Sequence, residues 1–135
     1  MKVQDFMNKD VIACTPNEKL TTILNKLRLF RISGMPVSEG RVIKGIISEK
    51  DILKKIQGMT NDLCTNLEEA QNQTELVVAD VMTRDVVTVT PAENIDTVVN
   101  LMMKRKINRI PVVVDGKIVG IVTRGDIISA LAESG

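Results

Sequence analysis

Apolar positions recur at helical spacing in two stretches of the chain and cluster as β-branched runs in two others. Leu20, Ile23, Leu24 and Leu27 stand at i, i+3, i+4 and i+7, and Ile95, Val98, Val99 and Met102 repeat that spacing. Each set reads as the buried stripe of an amphipathic helix. Val37 with Val42–Ile47, and Val112–Val114 with Ile118–Val122, flank short turns and predict two hairpins. Asp115-Gly116 supplies the positive φ angles of the second turn, and Glu39-Gly40 stands near the first. Short helices over Val3–Met7 and Val78–Met82, each setting a Met against the core, and short strands over Val11–Cys14 and Val86–Val89 come before. Thr15-Pro16-Asn17-Glu18 and Thr90-Pro91-Ala92-Glu93 have Thr for an N-cap, Pro at the first helical position and Glu at N3. That is a capping box with its favoured proline, predicted to start the helix behind it. The pattern is α/β, and it reads strand, helix, hairpin, helix, twice over.

The two halves are copies. When Val3 is laid on Val78, Asp5, Met7, Asp10, Val11, Thr15, Pro16, Glu18, Thr22 and Asn25 all meet identical residues. So do Ile32, Pro36, Val37, Ile43, Gly45, Ile46, Asp51 and Ile52, and no gap is needed from Val3 to Leu53. Only the turn glycine slips, Gly40 standing one place before the counterpart of Gly116. The repeats span 1–57 and 78–135, with 58–77 as linker. Gly58 is expected to end the helix begun at Glu49. Leu63 and Leu67 suggest a short helix within Asn61–Gln71, and QNQTE reads as exposed linker. A unit of about 50 residues buries too little surface to stand comfortably alone. Two would most simply pack face to face about a pseudo-two-fold axis. Val113 and Val114 extend the second hairpin's apolar run and suggest strands buried on both faces.

Composition narrows the function classes. A net charge of +1 lacks the basic excess of a dedicated nucleic-acid binder, and two Phe with no Trp or Tyr leave little to stack on bases. No apolar run approaches the roughly 20 residues of a membrane span, and MKVQDFMNKD lacks the apolar region of a signal peptide, so a cytoplasmic protein is expected. With no His, and with Cys14 and Cys64 far apart, neither a zinc site nor a His-dependent triad is expected. Cys14 reads as a buried thiol.

Two tetrads carry the candidate chemistry: Ser48-Glu49-Lys50-Asp51 and Thr123-Arg124-Gly125-Asp126. They fit a capping box, hydroxyl at N-cap and Asp at N3. They also fit a ligand site. A helix N-terminus offers N–H groups and a positive dipole to phosphate, the hydroxyl adds a donor, and the carboxylate can accept from two sugar hydroxyls.

Each repeat runs V-x-D-(F/V)-M, T-P, P-V, then G-I-(I/V)-(S/T)-x-x-D-I, and this resembles the CBS domain. Two in tandem resemble a CBS-domain pair, or Bateman module, over about nine-tenths of the chain. The resemblance implies a stand-alone regulatory module, not an enzyme, that binds an adenosine-containing ligand (AMP, ADP, ATP, S-adenosylmethionine or a dinucleotide) between the repeats. It implies no catalytic residue, no covalent cofactor and no protein metal site, with Mg2+ carried only by a nucleoside di- or triphosphate. In the family the matching Ser/Thr binds phosphate and the matching Asp binds ribose. Carried over by position, one site would take Thr123, Arg124 and Asp126 with Thr15, Ile32, Ser33, Gly34, Met35 and Pro36. The other would take Ser48 and Asp51 with Thr90, Ile107, Asn108, Arg109, Ile110 and Pro111. Met35, Ile110 and both prolines read equally well as strand packing. Arg124 and Gly125 favour the first site for phosphate, Glu49 opposes it at the second, and Arg109 is a further cation within reach. Arg28, Arg31 and Lys104–Lys106 read as solvated helix ends. The resemblance also implies a homodimer and an effector protein that reads occupancy. The alternatives are a scaffold subunit with vestigial clefts, or an RNA- or DNA-binding CBS protein.

Overall fold

The computed structural model describes residues 1–62 and 76–134. Leu63, Cys64, Leu67 and Gln71–Glu75 lie outside them, and so do the QNQTE linker and all of the helix suggested within Asn61–Gln71 except its first two residues. The chain forms two compact units. One is Ile12–Val86; the other joins Met1–Val11 to Val87–Gly135. We refer to them by their acidic residues, as the Asp51 unit and the Asp126 unit.

In the Asp51 unit, helix α1 (Leu20–Phe30) buries Leu20, Ile23 and Leu27, three of the four stripe positions. Arg31 ends it in the left-handed region (φ 54), and Ile32 N–H reaches back to Leu27 C=O at 3.0 Å. Such a cap satisfies carbonyls the helix leaves open, normally with Gly or Asn. Strands β1 (Gly34–Glu39) and β2 (Val42–Ser48) pair antiparallel from Gly34↔Ser48 to Glu39↔Val42, with a bulge between Val37 and Ser38. Helix α2 (Glu49–Asp62) follows. It runs through Gly58 rather than ending there. Gly58 keeps a negative φ, and a helix-interior glycine costs only about 1 kcal/mol.

The Asp126 unit repeats this plan. Helix α3 (Ile95–Arg105) buries Val98 and Met102 and ends at Lys106 with φ 56. Strands β3 (Arg109–Val114) and β4 (Lys117–Thr123) pair antiparallel, with a bulge between Val112 and Val113, and helix α4 (Arg124–Ser134) closes the unit. Asp115 and Gly116 both have positive φ, as a two-residue I′ turn demands, while the first turn has it at Gly40. The turns occupy equivalent positions; only the glycine has moved. Val113 is half-buried and Val114 exposed, so β3 is buried from Ile110 to Val112 and opens towards its turn. The expectation of burial on both faces fails at that end.

The Thr-Pro-x-Glu segments do not start the helices. Glu18 accepts from Thr15 N–H at 2.7 Å and Glu93 from Thr90 N–H at 2.9 Å, but each closes an isolated turn. The helices begin later, behind Lys19 and Asn94. The backbone between is committed elsewhere: Leu20 N–H donates to Leu76 C=O, Val78 N–H to Glu18 C=O and Ala79 N–H to Pro16 C=O. In the Asp126 unit, Val3 N–H donates to Glu93 C=O, Gln4 N–H to Pro91 C=O and Ile95 N–H to Met1 C=O. The strands predicted over Val11–Cys14 and Val86–Val89 shrink to single parallel bridges, Cys14↔Val37 and Val89↔Val112.

These bonds cut the compact units differently from the repeats. The opening segment of the second repeat, a 3-10 turn at Val78–Asp80, belongs to the Asp51 unit, where Val78 and Met82 join Leu20, Ile23, Leu27, Met35, Val37 and Ile47 in the core. That of the first repeat, Val3–Asp5, belongs to the Asp126 unit, where Val3 packs with Val98, Met102, Ile110, Val112 and Val122. Asp5 and Asp80 cap these turns from within, accepting from Lys2 and Val77 N–H at 3.0 Å each. The glycines of the G-I-(I/V) motif admit the same segments. A Cβ on Gly45 would lie 2.7 Å from Thr83 C=O, and one on Gly120 2.7 Å from Met7 Sδ. No described helix is long and apolar enough to cross a membrane.

Candidate functional site

Both tetrads lie where a strand hands over to a helix. Ser48 ends β2 and Asp51 sits in the first turn of α2; Thr123 ends β4 and Asp126 sits in the first turn of α4. Ser48 N–H and Oγ both donate to Asp51 Oδ2, at 3.0 and 2.9 Å, and Asp51 N–H donates back to Ser48 Oγ at 3.3 Å. Thr123 N–H and Oγ1 donate to Asp126 Oδ2 at 2.8 and 3.0 Å, and Asp126 N–H returns to Thr123 Oγ1 at 3.3 Å. The capping box is therefore formed in both units. All four residues are half-buried, and so remain open to solvent.

Each tetrad stands beside the first residues of its own unit's hairpin. Gly34 pairs with Ser48, and Glu49 N–H donates to Ser33 C=O at 2.9 Å. Arg109 pairs with Thr123, and Arg124 N–H donates to Asn108 C=O at 3.1 Å. The second amide of each first turn, on Lys50 and on Gly125, has no intrahelical acceptor. Ile32 and Ser33, and Ile107 and Arg109, are half-buried, while Asn108 is exposed. Met35, Pro36, Ile110 and Pro111 are fully buried, which spends their side chains on packing. Thr15 and Thr90 are exposed in the Glu-closed turns. Burial pushes the Glu18 carboxyl up, but hydrogen bonds from Lys26 (2.9 Å) and the Thr15 amide outweigh it and hold the group below its ordinary value.

The charges around the two tetrads differ. Arg124 and Gly125 are exposed beside Thr123, whereas Glu49 and Lys50 are exposed beside Ser48. Against Arg124 and Gly125 lies an apolar groove of about 410 Å3, whose floor includes Met102, Met103 and Ile128. A smaller one, about 290 Å3, occupies the matching face of the Asp51 unit beside Glu49 and Leu53. Among the described residues no cluster of three or more Cys, Asp or Glu could hold a metal ion.

The carboxylates also differ at their second oxygen. Asp51 Oδ1 accepts from Thr83 Oγ1 at 3.1 Å. Among the described residues no group donates to Asp126 Oδ1. Thr83 is a partner of a candidate site residue that the sequence pattern does not point out. The signal was present: Thr83 is the repeat counterpart of Asn8, a point at which two otherwise similar copies diverge.

Comparison with known proteins agrees with this architecture. Protein MJ1426 of Methanocaldococcus jannaschii, itself uncharacterised, is 37% identical over 97% of this chain and 91% of its own length. The crystal structure of CBSX2 in complex with AMP superposes with a TM-score of 0.83 at 27% identity, covering 98% of this chain and 97% of that one. The CBS domain pair of protein MJ0100, in complex with 5'-methylthioadenosine and S-adenosyl-L-methionine, superposes with a TM-score of 0.80 at 27% identity, covering 100% and 98%. The sequence pattern of the CBS domain matches residues 3–58 and again residues 78–133. With both repeats and their tetrads accounted for by that pattern, the chain belongs to the CBS-domain family.

Proposed function

We propose that this chain is a regulatory binding module for an adenosine-containing ligand, and that it acts without catalysing a reaction. The observation that carries the reading is the hydroxyl–carboxylate pair at a solvent-open helix start, built twice from the same local sequence. The complexes of CBSX2 with AMP and of MJ0100 with two adenosine compounds support the ligand class. Asp126 would hold the ribose hydroxyls, and Thr123, the Gly125 amide and Arg124 a phosphate or its equivalent. Ile107, Asn108 and Arg109, which the family resemblance assigns to the Asp51 site, stand beside Thr123 and Arg124 in this unit, and on that placement we read them as flanking the Asp126 tetrad. Ser48 and Asp51 would play the matching parts in the other unit, flanked by Ile32 and Ser33, which the resemblance assigns to the Asp126 site but which stand beside Ser48 and Glu49. If the ligand is a di- or triphosphate, Mg2+ enters with its phosphates. Occupancy would reach an effector protein by linkage, since a partner that prefers the liganded arrangement binds it differently. A homodimer fits the exposed Leu24, Leu53, Met103 and Ile128 on the helical faces, a two-fold pair being the commonest assembly.

Calorimetric titration with AMP, ATP and S-adenosylmethionine tests this reading. Asp126→Ala removes a charged hydrogen-bond acceptor worth about 1.5–3 kcal/mol, a loss of roughly 10- to 150-fold in affinity. If Asp126 only caps α4, the variant instead loses around 1 kcal/mol of stability with unchanged affinity. No binding by the parent protein at millimolar ligand would leave a scaffold subunit as the better account.

A further inference from the structure

Thr83 occupies Asp51 in the way a sugar hydroxyl would. Its Oγ1 donates to Oδ1 at 3.1 Å, while Ser48 holds Oδ2, so both carboxylate oxygens are engaged within the unit. The position is fixed by backbone. Thr83 N–H donates to Ile46 C=O at 2.8 Å, and Ile46 N–H returns to Thr83 C=O at 2.9 Å. The same bridge exists in the Asp126 unit, where Asn8 and Ile121 exchange two bonds of 2.9 Å. There the side chain behaves differently. Asn8 Oδ1 accepts from Asp10 N–H at 2.9 Å and closes its own turn. Among the described residues nothing donates to Asp126 Oδ1, which leaves its lone pairs for an incoming donor. The backbone frame is thus common to both units, and one side chain decides whether the carboxylate is already satisfied.

We propose that Thr83 is an internal competitor for the sugar-binding oxygen of Asp51, and that the Thr83/Asn8 difference makes the Asp51 half the weaker of two adenosine-binding halves. The proposal rests on the reading of the tetrads given above. It differs from an argument based on Arg124, which concerns phosphate: the Thr83 effect extends to adenosine itself, which has no phosphate. A ligand hydroxyl at Asp51 must displace a bond already made, whereas at Asp126 it makes a new one. The difference between those cases is that of one exposed hydrogen bond, roughly 3- to 10-fold in affinity.

The chain of residues 1–135 is titrated with adenosine and with AMP, in an Asp126→Ala background to isolate the Asp51 half and in an Asp51→Ala background to isolate the other. Thr83→Val keeps the β-branched shape and both bonds to Ile46 while removing the hydroxyl. It should tighten both ligands about 3- to 10-fold at the Asp51 half and change nothing at the Asp126 half. Asn8→Thr should weaken the Asp126 half by a similar factor. Melting curves of both variants verify that the fold is retained. If binding depends on Asp51 and Asp126 but Thr83→Val leaves the Asp51 half unchanged or weaker, the competitor is wrong and the ligand reading stands. If neither the parent nor the Thr83→Val protein binds either ligand at millimolar concentration, both fall together.

Discussion

Asp51 and Asp126 show how far a single side chain can be read. Their place in the repeat, the hydroxyl three residues before each and the reciprocal bonds between them all follow from S-x-x-D and T-x-x-D. What reaches the second carboxylate oxygen does not, because Thr83 approaches from a segment far along the chain. Cys14 is a simpler case. An apolar neighbourhood predicts a buried thiol, and the side chain is 3% exposed with Sγ against Pro36 C=O. Burial first, and the Glu18 charge second, push its pKa up to about 12, with Lys26 offsetting part of this. Alkylation needs the thiolate. Iodoacetamide at pH 8 should therefore leave the Cys14 peptide unmodified in the folded protein and label it once denaturant is added. Rapid labelling without denaturant would show that the Ile12–Val86 unit opens readily.

At the scale of elements, the helices, hairpins and turns were legible because their signals are local: a 3.6-residue stripe, β-branched runs, and glycine where φ is positive. The starts of α1 and α3 fall later than Thr-Pro-x-Glu predicts, for a physical reason. Thr-Pro-x-Glu is a sound helix start by itself, but the backbone behind it hydrogen-bonds to residues 76–79 or 1–4, and the helix waits until that ladder ends. The same docking explains the G-I motif and separates its two glycines. At Gly45 the obstacle to a Cβ is the backbone carbonyl of Thr83, fixed by the Ile46 bridge; at Gly120 it is first the flexible Met7 thioether. Forcing a methyl into such contacts costs about 1–3 kcal/mol. Gly45→Ala should sit at or above the top of that range and Gly120→Ala near the bottom, measured by urea denaturation of each variant. Equal losses would mean that Met7 is held as rigidly as the backbone.

For the whole molecule, the repeat was plain in the sequence, but which copy of the opening segment completes which hairpin was not. Identical residues at Val3 and Val78, and at Met7 and Met82, make the two pairings indistinguishable by pattern. The compact units settle it: residues 76–86 complete the hairpin of the first repeat, and residues 1–11 that of the second. A fragment ending at Gln57 therefore lacks Val78 and Met82 from its core, and should show no cooperative melt by circular dichroism. A fragment of residues 12–86 keeps them and should melt cooperatively. If the shorter fragment is as stable as the longer, the exchanged segment contributes little. The exchange also sets a timetable for biogenesis. Val3 is synthesised well before Glu93, whose carbonyl receives its amide, and before Val98 and Val122, which bury its side chain. At about 5–20 residues per second on the ribosome, that segment waits roughly 5 to 20 s for its partners. The Ile12–Val86 unit can close during that interval, so residues 1–11, made before that unit, are placed after it.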